Sequence, residues 1–197
     1  MEYKDIFPII IGEENFNIPT KILDEWKQFI DLEPTQNPSP SDFITKNQNL
    51  LDSSIFITLK NVILDNVIKY AKKISLNVEG LQICNSWAYI TTKGNIEGSW
   101  HSHSNSLITG TFYLTEGAPL YIQNPYMKMN FLHQTENSSN SSNYTSFNPS
   151  PGKLLLFPSF LDHMVGPNTN TFNRYCIAFN IIPKGKYGDD TNLIYFK

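Results

Sequence analysis

The stretch NRYCIAFN, residues 173–180, predicts a β-strand with two very different faces. Alternate side chains of a strand point to opposite sides, so the bulky residues share one face, namely Tyr175, Ile177 and Phe179. The other face carries Arg174 and then smaller side chains, namely Cys176, Ala178 and Asn180. We interpret the bulky face as core and the small face as a cavity wall. An inward guanidinium keeps its charge and has to meet an anion, either a ligand or a structural carboxylate of the chain.

A second strand, LITGTFYL at residues 107–114, has a polar face of the same kind. Thr109, Thr111 and Tyr113 alternate along it, and we predict that they line the same cavity. The Tyr113 hydroxyl would then be able to share a bound carboxylate with Arg174. The alternative for Tyr113 is an ordinary packed aromatic of the core.

Short strand-like segments dominate the chain from Leu81 onward, and an aromatic content of 13% favours strands over helices. They are separated by Gly, Pro, Asn and Ser, and lie at 81–91, 107–114, 119–123, 129–133, 153–157 and 174–182. Many short strands after two helices predict an antiparallel sandwich or barrel, mainly β, with the helices packed on one outer face.

The first 80 residues predict a short strand and two supporting helices. FPIII at 7–11 suits a buried strand, one helix is expected after Pro19, and another from about Leu59 to Ile74. The Pro-rich residues 33–42 are predicted to be a loop. The Asn- and Ser-rich residues 135–150 are predicted to be a mobile loop near the rim of the site. We predict one domain over residues 1–197.

Histidines provide the strongest signal for chemistry. Two of the four form His101-Ser102-His103, which on an extended chain can chelate one metal from one side of a sheet. A third, His163, ends the stretch GKLLLFPSFLDH at 152–163, where a strand is followed by a proline turn. The turn Gly166-Pro167-Asn168 predicts that His163 and Arg174 lie on neighbouring antiparallel strands. A metal bound at His163 and an inward arginine on the neighbouring strand can hold the two ends of a short dicarboxylate.

Other ligand sets stay open at this point. His103 with Asn105 would give a two-histidine site completed by an amide or a water molecule. Asp162 could supply a carboxylate, although neighbouring side chains of an extended chain point apart. His133 has no partner in the pattern and is interpreted as lying outside the site.

Composition argues against several functions. The formal net charge is −3 and no basic block appears, so non-specific nucleic-acid binding is not expected. No apolar run is long enough to span a bilayer, and the N-terminus does not predict a signal peptide or a membrane partner. Cys84 and Cys176 are interpreted as reduced thiols, which predicts a cytoplasmic protein.

The order of these motifs resembles the 2-oxoglutarate/Fe(II) oxygenases of bacterial and phage type and, more distantly, their prolyl-hydroxylase-like branch. The resemblance covers roughly residues 81–182 and rests on four motifs, HSH at 101–103, GTFYL at 110–114, GKLLLFPS with His163, and Arg174 with Phe179-Asn180. It implies a double-stranded β-helix (a cupin-like jelly roll) over residues 81–197, supported by residues 1–80.

The resemblance implies an oxidoreductase, a dioxygenase that uses Fe(II), 2-oxoglutarate and O2. It would hydroxylate an unidentified primary substrate and release succinate and CO2, in the host cytoplasm if the gene is phage-encoded. His101 and His163 would be iron ligands, Arg174 the clamp for the far carboxylate, and Tyr113 its helper. Further pocket residues are expected at Tyr89, Thr91, Trp100, Asn105, Thr111 and Cys176. A second copy of the chain is also considered as a partner.

One departure from the family pattern keeps two alternatives open. Most of the family has Asp or Glu where this chain has His103, and three histidine ligands resemble cupin dioxygenases. A cupin-like metalloenzyme would not use 2-oxoglutarate, and Arg174 would bind a substrate acid directly. A metal-stabilised jelly-roll binding module would have no catalytic activity, and fold alone does not separate these classes.

Overall fold

The structure, a computed structural model, describes residues 8–39, 42–76, 80–93, 98–126, 142–187 and 191–196. In these ranges the helices are α1 (Thr20–Leu32) and α2 (Ile57–Lys73). The strands are β1 (Gly12–Asn15), β2 (Thr35–Ser39), β3 (Asp42–Thr45), β4 (Leu81–Thr91), β5 (Ile108–Tyr113), β6 (Leu120–Gln123), β7 (Tyr144–Phe147), β8 (Lys153–Pro158), β9 (His163–Val165), β10 (Arg174–Pro183), β11 (Gly185–Tyr187) and β12 (Ile194–Phe196).

Both predicted helices are confirmed, and α2 lies within two residues of its predicted ends. α1 begins directly after Pro19, and its buried side chains recur at helical spacing, namely Leu23, Trp26 and Ile30. α2 buries a second stripe, namely Leu59, Ile63, Val67, Tyr70 and Ala71. Each helix therefore has one apolar face that must pack against a sheet.

Seven strands provide that sheet, in the antiparallel order β1-β8-β5-β10-β4-β3-β2. β10 lies at its centre, hydrogen-bonded to β5 on one side and β4 on the other. The helices cover one face, where Ile177 and Phe179 of β10 join the same core cluster as Trp26 and Ile63. The predicted mainly β fold with helices on one outer face is confirmed, as is the bulky core face of residues 173–180.

The opposite face of the large sheet meets a three-stranded sheet of order β7-β6-β9. Leu120 and Ile122 of β6 pack in one cluster with Leu155 and Phe157 of β8. Their neighbours Leu154 and Leu156 belong to the helix-side cluster, as strand alternation requires. The cavity-facing side chains of β5 and β10 consequently lie between the two sheets.

The Pro-rich segment 33–42 is not wholly a loop, and that prediction is wrong. It contains β2 and the start of β3, and Asp42 to Ile44 pair with Thr91 to Tyr89 of β4. Pairing to the edge of a large sheet outweighs the loop-like composition. β2 ends the sheet, so the missing N–H of Pro38 is tolerated there.

Further segment predictions also need correction. The strand expected at 7–11 is not found at 8–11 and begins instead at Gly12, while Phe7 lies outside the described residues. Within 135–150, Tyr144–Phe147 forms β7 and pairs with β6, so this part is not a loop. Residues 135–141, the strand expected at 129–133 and His133 lie outside the described residues.

The strands of His163 and Arg174 are not neighbours in one sheet, contrary to the prediction. β9 pairs with β6 in the small sheet, whereas β10 is central in the large one. The connection between them crosses from one sheet to the other around the buried Asn168, whose amide donates to the carbonyls of Thr91 and Phe172 at 3.0 and 2.9 Å. The two residues therefore approach the cavity from opposite sheets.

Within the described ranges, no helix has the length and apolar character to cross a membrane.

Candidate functional site

Three histidines come together at one end of the space between the sheets. His101 and His163 form an antiparallel bridge, with each backbone N–H donating to the other's carbonyl at 3.1 and 2.9 Å. His103 lies next to them, and one ring nitrogen from each of the three residues lies within 4.8 Å of the others. The bridge brings together residues that are far apart in the sequence and were predicted to act together.

Backbone carbonyls determine the tautomer of two of these rings. Nδ1 of His101 lies 2.9 Å from the carbonyl oxygen of Ser99, and Nδ1 of His163 lies 2.9 Å from that of Leu161. A carbonyl only accepts hydrogen bonds, so each Nδ1 carries the proton and donates. Nε2 of each ring is left with a free lone pair, which is the form that binds a metal.

The third ring is held differently. Nδ1 of His103 faces side-chain oxygens, with Asn180 Oδ1 at 2.6 Å and Thr109 Oγ1 at 3.2 Å. The indole of Trp87 lies beside the same imidazole, with ring centroids 5.9 Å apart. His103 is thus positioned by groups from β4, β5 and β10 together.

Burial keeps the inner histidines neutral. Burial lowers the pKa of His163 to about 3, against an opposing effect of the hydrogen bond to Leu161. Burial also lowers the pKa of His103, with the Asn180 hydrogen bond opposing it. Imidazoles in this state can accept a cation at neutral pH without first releasing a proton.

Arg174, the single arginine of the chain, is buried between the sheets and is 1% exposed. Among the described residues no carboxylate forms an ion pair with it. Its Nη1 donates to the sulfur of Cys176 at 3.2 Å, and its guanidinium carbon lies 5.1 Å from the ring centre of Tyr113. A buried cation without an anionic partner is costly, so the guanidinium favours an anion bound in the cavity.

Unpaired polar atoms surround the same guanidinium. Buried atoms without a hydrogen-bond partner include Arg174 Nε and the hydroxyls of Tyr113, Thr111 and Thr91. Buried donors are nearly always paired in folded proteins. Three hydroxyls and a guanidinium can together receive a carboxylate, which supplies several acceptor positions.

A cavity of about 470 Å³ joins the histidines to Arg174. Six of the residues predicted to face the cavity line it, namely Tyr89, Thr109, Thr111, Arg174, Cys176 and Ala178. Tyr113 and Thr91 are buried beside Arg174 and are not part of the lining. The large-sheet side of the cavity also carries Trp87, which the sequence placed on the same face as Tyr89, and Asn85 and Gln48, which were not predicted.

Three other sequence expectations do not match the structure. Asn105 and Asp162 are exposed and do not line the cavity, and Asp162 does not belong to the histidine cluster. Trp100 does not line the cavity and is 39% exposed. It leans towards Tyr144 of the small sheet, at 6.3 Å between ring centroids. Asn105 lies in an exposed turn, and Trp100 and Asp162 lie outside the strands, which local sequence does not reveal.

The sequence also missed the polar group behind His103. Thr109 and Asn180 were placed on the cavity faces of their strands, but nothing in the pattern selected them for a contact with histidine. Ser159 joins them with an Oγ 2.9 Å from Thr109 Oγ1. Strand alternation was the one signal available, and it gives the face of a residue without its partners.

The residues present fit a divalent metal and a dicarboxylate. Three neutral imidazoles suit first-row divalent ions, including Fe(II). The unpaired guanidinium suits a carboxylate held at the other end of the same cavity. The fold and this site together define the class of jelly-roll, metal-dependent oxygenases.

Residues 85–180 match the model of the family described as "Putative 2OG-Fe(II) oxygenase". This match, over just under half of the chain, together with the shared fold indicates a 2-oxoglutarate/Fe(II)-dependent oxygenase with Fe(II) and 2-oxoglutarate as its cofactors. The predicted enzyme class is confirmed. No curated protein matches the sequence.

Solved structures share the fold at low sequence identity. HygX from Streptomyces hygroscopicus, with nickel and 2-oxoglutarate bound, is 15% identical over 89% of this chain and 83% of its own, with a TM-score of 0.62. A prolyl-4-hydroxylase from Pseudomonas putida is 11% identical over 89% and 93%, with a TM-score of 0.61. The carbocyclase SnoK from nogalamycin biosynthesis is 10% identical over 89% and 80%, with a TM-score of 0.66. The predicted double-stranded β-helix is therefore confirmed.

Proposed function

We propose that His101, His103 and His163 hold the Fe(II) of this oxygenase, and that Arg174 with Tyr113 binds the far carboxylate of 2-oxoglutarate. One observation carries the proposal. A cluster of imidazoles with metal-binding nitrogens and a buried arginine without an acidic partner face the same cavity. A metal ion would bind the histidines at one end of the cavity, and a dicarboxylate would reach from that metal to Arg174 at the other end.

Residues at the two ends of the cavity have different roles. The carbonyls of Ser99 and Leu161 orient two of the imidazoles. Arg174 offers a planar pair of N–H groups to a carboxylate, and burial around it excludes water that would compete. Iron held at the histidines would supply, with O2, the oxidising chemistry that hydroxylates a substrate as 2-oxoglutarate is converted to succinate and CO2.

The primary substrate is proposed to occupy the part of the cavity lined by Trp87, Asn85 and Gln48. Asn85 lies six residues along β4 from Thr91, which pairs with Arg174. At roughly 3.3 Å per residue, this places Asn85 about 20 Å from the carboxylate end. The indole and the two amides offer an apolar surface with neutral hydrogen-bonding groups, and they lie beside His103.

An anaerobic titration tests the proposal. Fe(II) and 2-oxoglutarate are added to the protein, and the weak visible charge-transfer band of a metal-chelated keto acid is expected only when both are present. His163→Ala should abolish the band by losing the metal, whereas Arg174→Ala should abolish it at the same 2-oxoglutarate concentration while keeping the metal. Metal binding without any band in the wild type would favour the cupin-like alternative, in which Arg174 binds a substrate acid.

We also propose that the protein works as a single domain in the cytoplasm. The free thiols of Cys84 and Cys176 support a reducing compartment. Alkylation of intact cells at neutral pH, followed by mass analysis of the purified protein, would detect both cysteines as thiols. A disulfide in the cellular protein would contradict this assignment.

A further inference from the structure

A group of hydrogen-bonded polar side chains meets at Nδ1 of His103. Asn180 lies at the centre of this group on β10, directly opposite Thr109 of β5. The register of β10 against β4 shifts just after Asn180, where Cys84 of β4 is the unpaired extra residue. Asn180 is 3% exposed, so its amide must satisfy its hydrogen bonds inside the protein.

The amide oxygen of Asn180 receives several donors. Oδ1 lies 2.6 Å from Nδ1 of His103, 3.1 Å from the hydroxyl of Thr109 and 3.3 Å from that of Ser106. An amide oxygen cannot donate, so Nδ1 of His103 must carry the proton of this short hydrogen bond. The hydroxyl of Thr109, also near Nδ1, can either donate or accept and cannot select a tautomer by itself.

His103 differs from the other two histidines in the partner of its Nδ1. His101 and His163 each donate to the carbonyl two residues earlier in the chain, those of Ser99 and Leu161. The equivalent carbonyl for His103 is that of His101. That carbonyl already accepts the backbone N–H of His163 in the bridge between the two segments. Nδ1 of His103 lies against the amide oxygen of Asn180 and not against a backbone carbonyl.

We propose that Asn180 is the positioning residue of His103, fixing its ring in the Nδ1–H tautomer that leaves Nε2 for the metal. The inference rests on the proposed metal centre. A carboxylate ligand at this position would have no tautomer to select, so the Asn180 contact serves a requirement that arises from having histidine there. Ser159 and Thr109 support the amide, with Ser159 Oγ lying 2.6 Å from Ser106 Oγ and 2.9 Å from Thr109 Oγ1.

Nitrogen NMR of the metal-free protein tests the tautomer directly. In ¹⁵N-histidine-labelled wild type, His103 is expected as the Nδ1–H form alone. Asn180→Leu, which keeps the side-chain size and removes the acceptor, should give a mixture of both tautomers. Ser106→Ala is the matched control, because Ser106 contacts Asn180 without contacting His103, and it should leave the tautomer unchanged. An unchanged single tautomer in Asn180→Leu would overturn the proposal.

Titration with Co(II), whose visible spectrum reports its ligands, tests the consequence for the metal. Asn180→Leu should lower Co(II) affinity by about 10–100-fold, the usual effect of losing a group that orients a ligand. Asn180→Asp should keep the affinity at or above that of wild type, because a carboxylate also accepts from Nδ1–H. Equal losses in both variants would overturn the proposal, since packing alone would then explain them. Thermal unfolding of the metal-free variants checks that each is folded.

A change of ligand should reverse the preference at Asn180. In a His103→Asp background the amide can turn its NH2 group towards the new carboxylate, whereas Asn180→Asp would place two carboxylates together. Co(II) affinity should then fall with Asn180→Asp, the opposite order to that expected with His103 in place. The same order in both backgrounds would count against the proposal. A wild type that has the Nδ1–H tautomer but binds no Co(II) would uphold the tautomer assignment and refute the proposed metal centre instead.

Discussion

His103 stands where the pattern that the sequence resembles has an acidic residue, and its substitution is the most direct test of the proposed metal centre. We expect His103→Ala to lose most of the bound metal, because two imidazoles remain where three lie within 4.8 Å of one another. His103→Asp should keep metal and 2-oxoglutarate, because the shorter carboxylate can reach the same ion with a small shift. Metal stoichiometry after gel filtration, measured with succinate release, compares the three proteins. Wild-type metal content in His103→Ala would mean that His103 is no ligand.

Arg174 is proposed to bind the far carboxylate of 2-oxoglutarate. Arg174→Ala should weaken 2-oxoglutarate binding by about 2–5 kcal/mol, much of it because a buried carboxylate loses its partner. Arg174→Lys should recover part of this, since an ammonium keeps the charge but lacks the planar fork. Calorimetry with Co(II)-loaded protein gives the measurement, and Co(II) affinity itself is the control. Normal 2-oxoglutarate binding by Arg174→Ala would end the proposed role.

At the scale of the elements, the contact between β5 and β10 depends on Gly110. A Cβ built at Gly110 would lie 2.2 Å from the ring of Phe179 and 2.8 Å from Leu156. Gly110→Ala is therefore expected to lower the free energy of unfolding by about 1–3 kcal/mol through overpacking. Chemical denaturation measures it, with Gly80→Ala as a control whose nearest contact would be 3.3 Å. A second substitution, Phe179→Leu, should recover part of the loss. A neutral Gly110→Ala would mean that the two strands separate more easily than the structure indicates.

The metal and 2-oxoglutarate are proposed to bind between the two sheets, so at the scale of the whole molecule they should stabilise the fold. A ligand at one hundred times its dissociation constant adds about 2.7 kcal/mol when it binds only the folded state. We expect Co(II) to raise the unfolding temperature and 2-oxoglutarate to raise it further. Arg174→Ala should lose only the second increment, and His163→Ala should lose both. Stabilisation of His163→Ala by 2-oxoglutarate alone would place the keto acid away from the histidines.

Much of the site could be predicted because strands expose their faces in a period of two. The alternation in residues 173–180 identified the core side of Ile177 and Phe179 and the cavity side of Arg174. The spacing of His101 and His103 identified a pair able to share a metal. The helices followed in the same way from apolar positions at helical spacing. These signals are local, and each depends only on side chains a few residues apart.

Only the tertiary structure decided which distant segments meet. β2 and β3 formed in a Pro-rich stretch because the edge of β4 offered hydrogen bonds to it. β9 joined the small sheet, so His163 and Arg174 face one cavity from opposite sides. The carbonyl of His101 pairs with His163, and the ring of His103 contacts the side chain of Asn180 from a distant strand. The sequence by itself determined the faces of the strands and the types of ligand. Which side chains meet across the cavity depended on backbone pairing between distant segments. The free energy of that pairing cannot be read from a local sequence pattern.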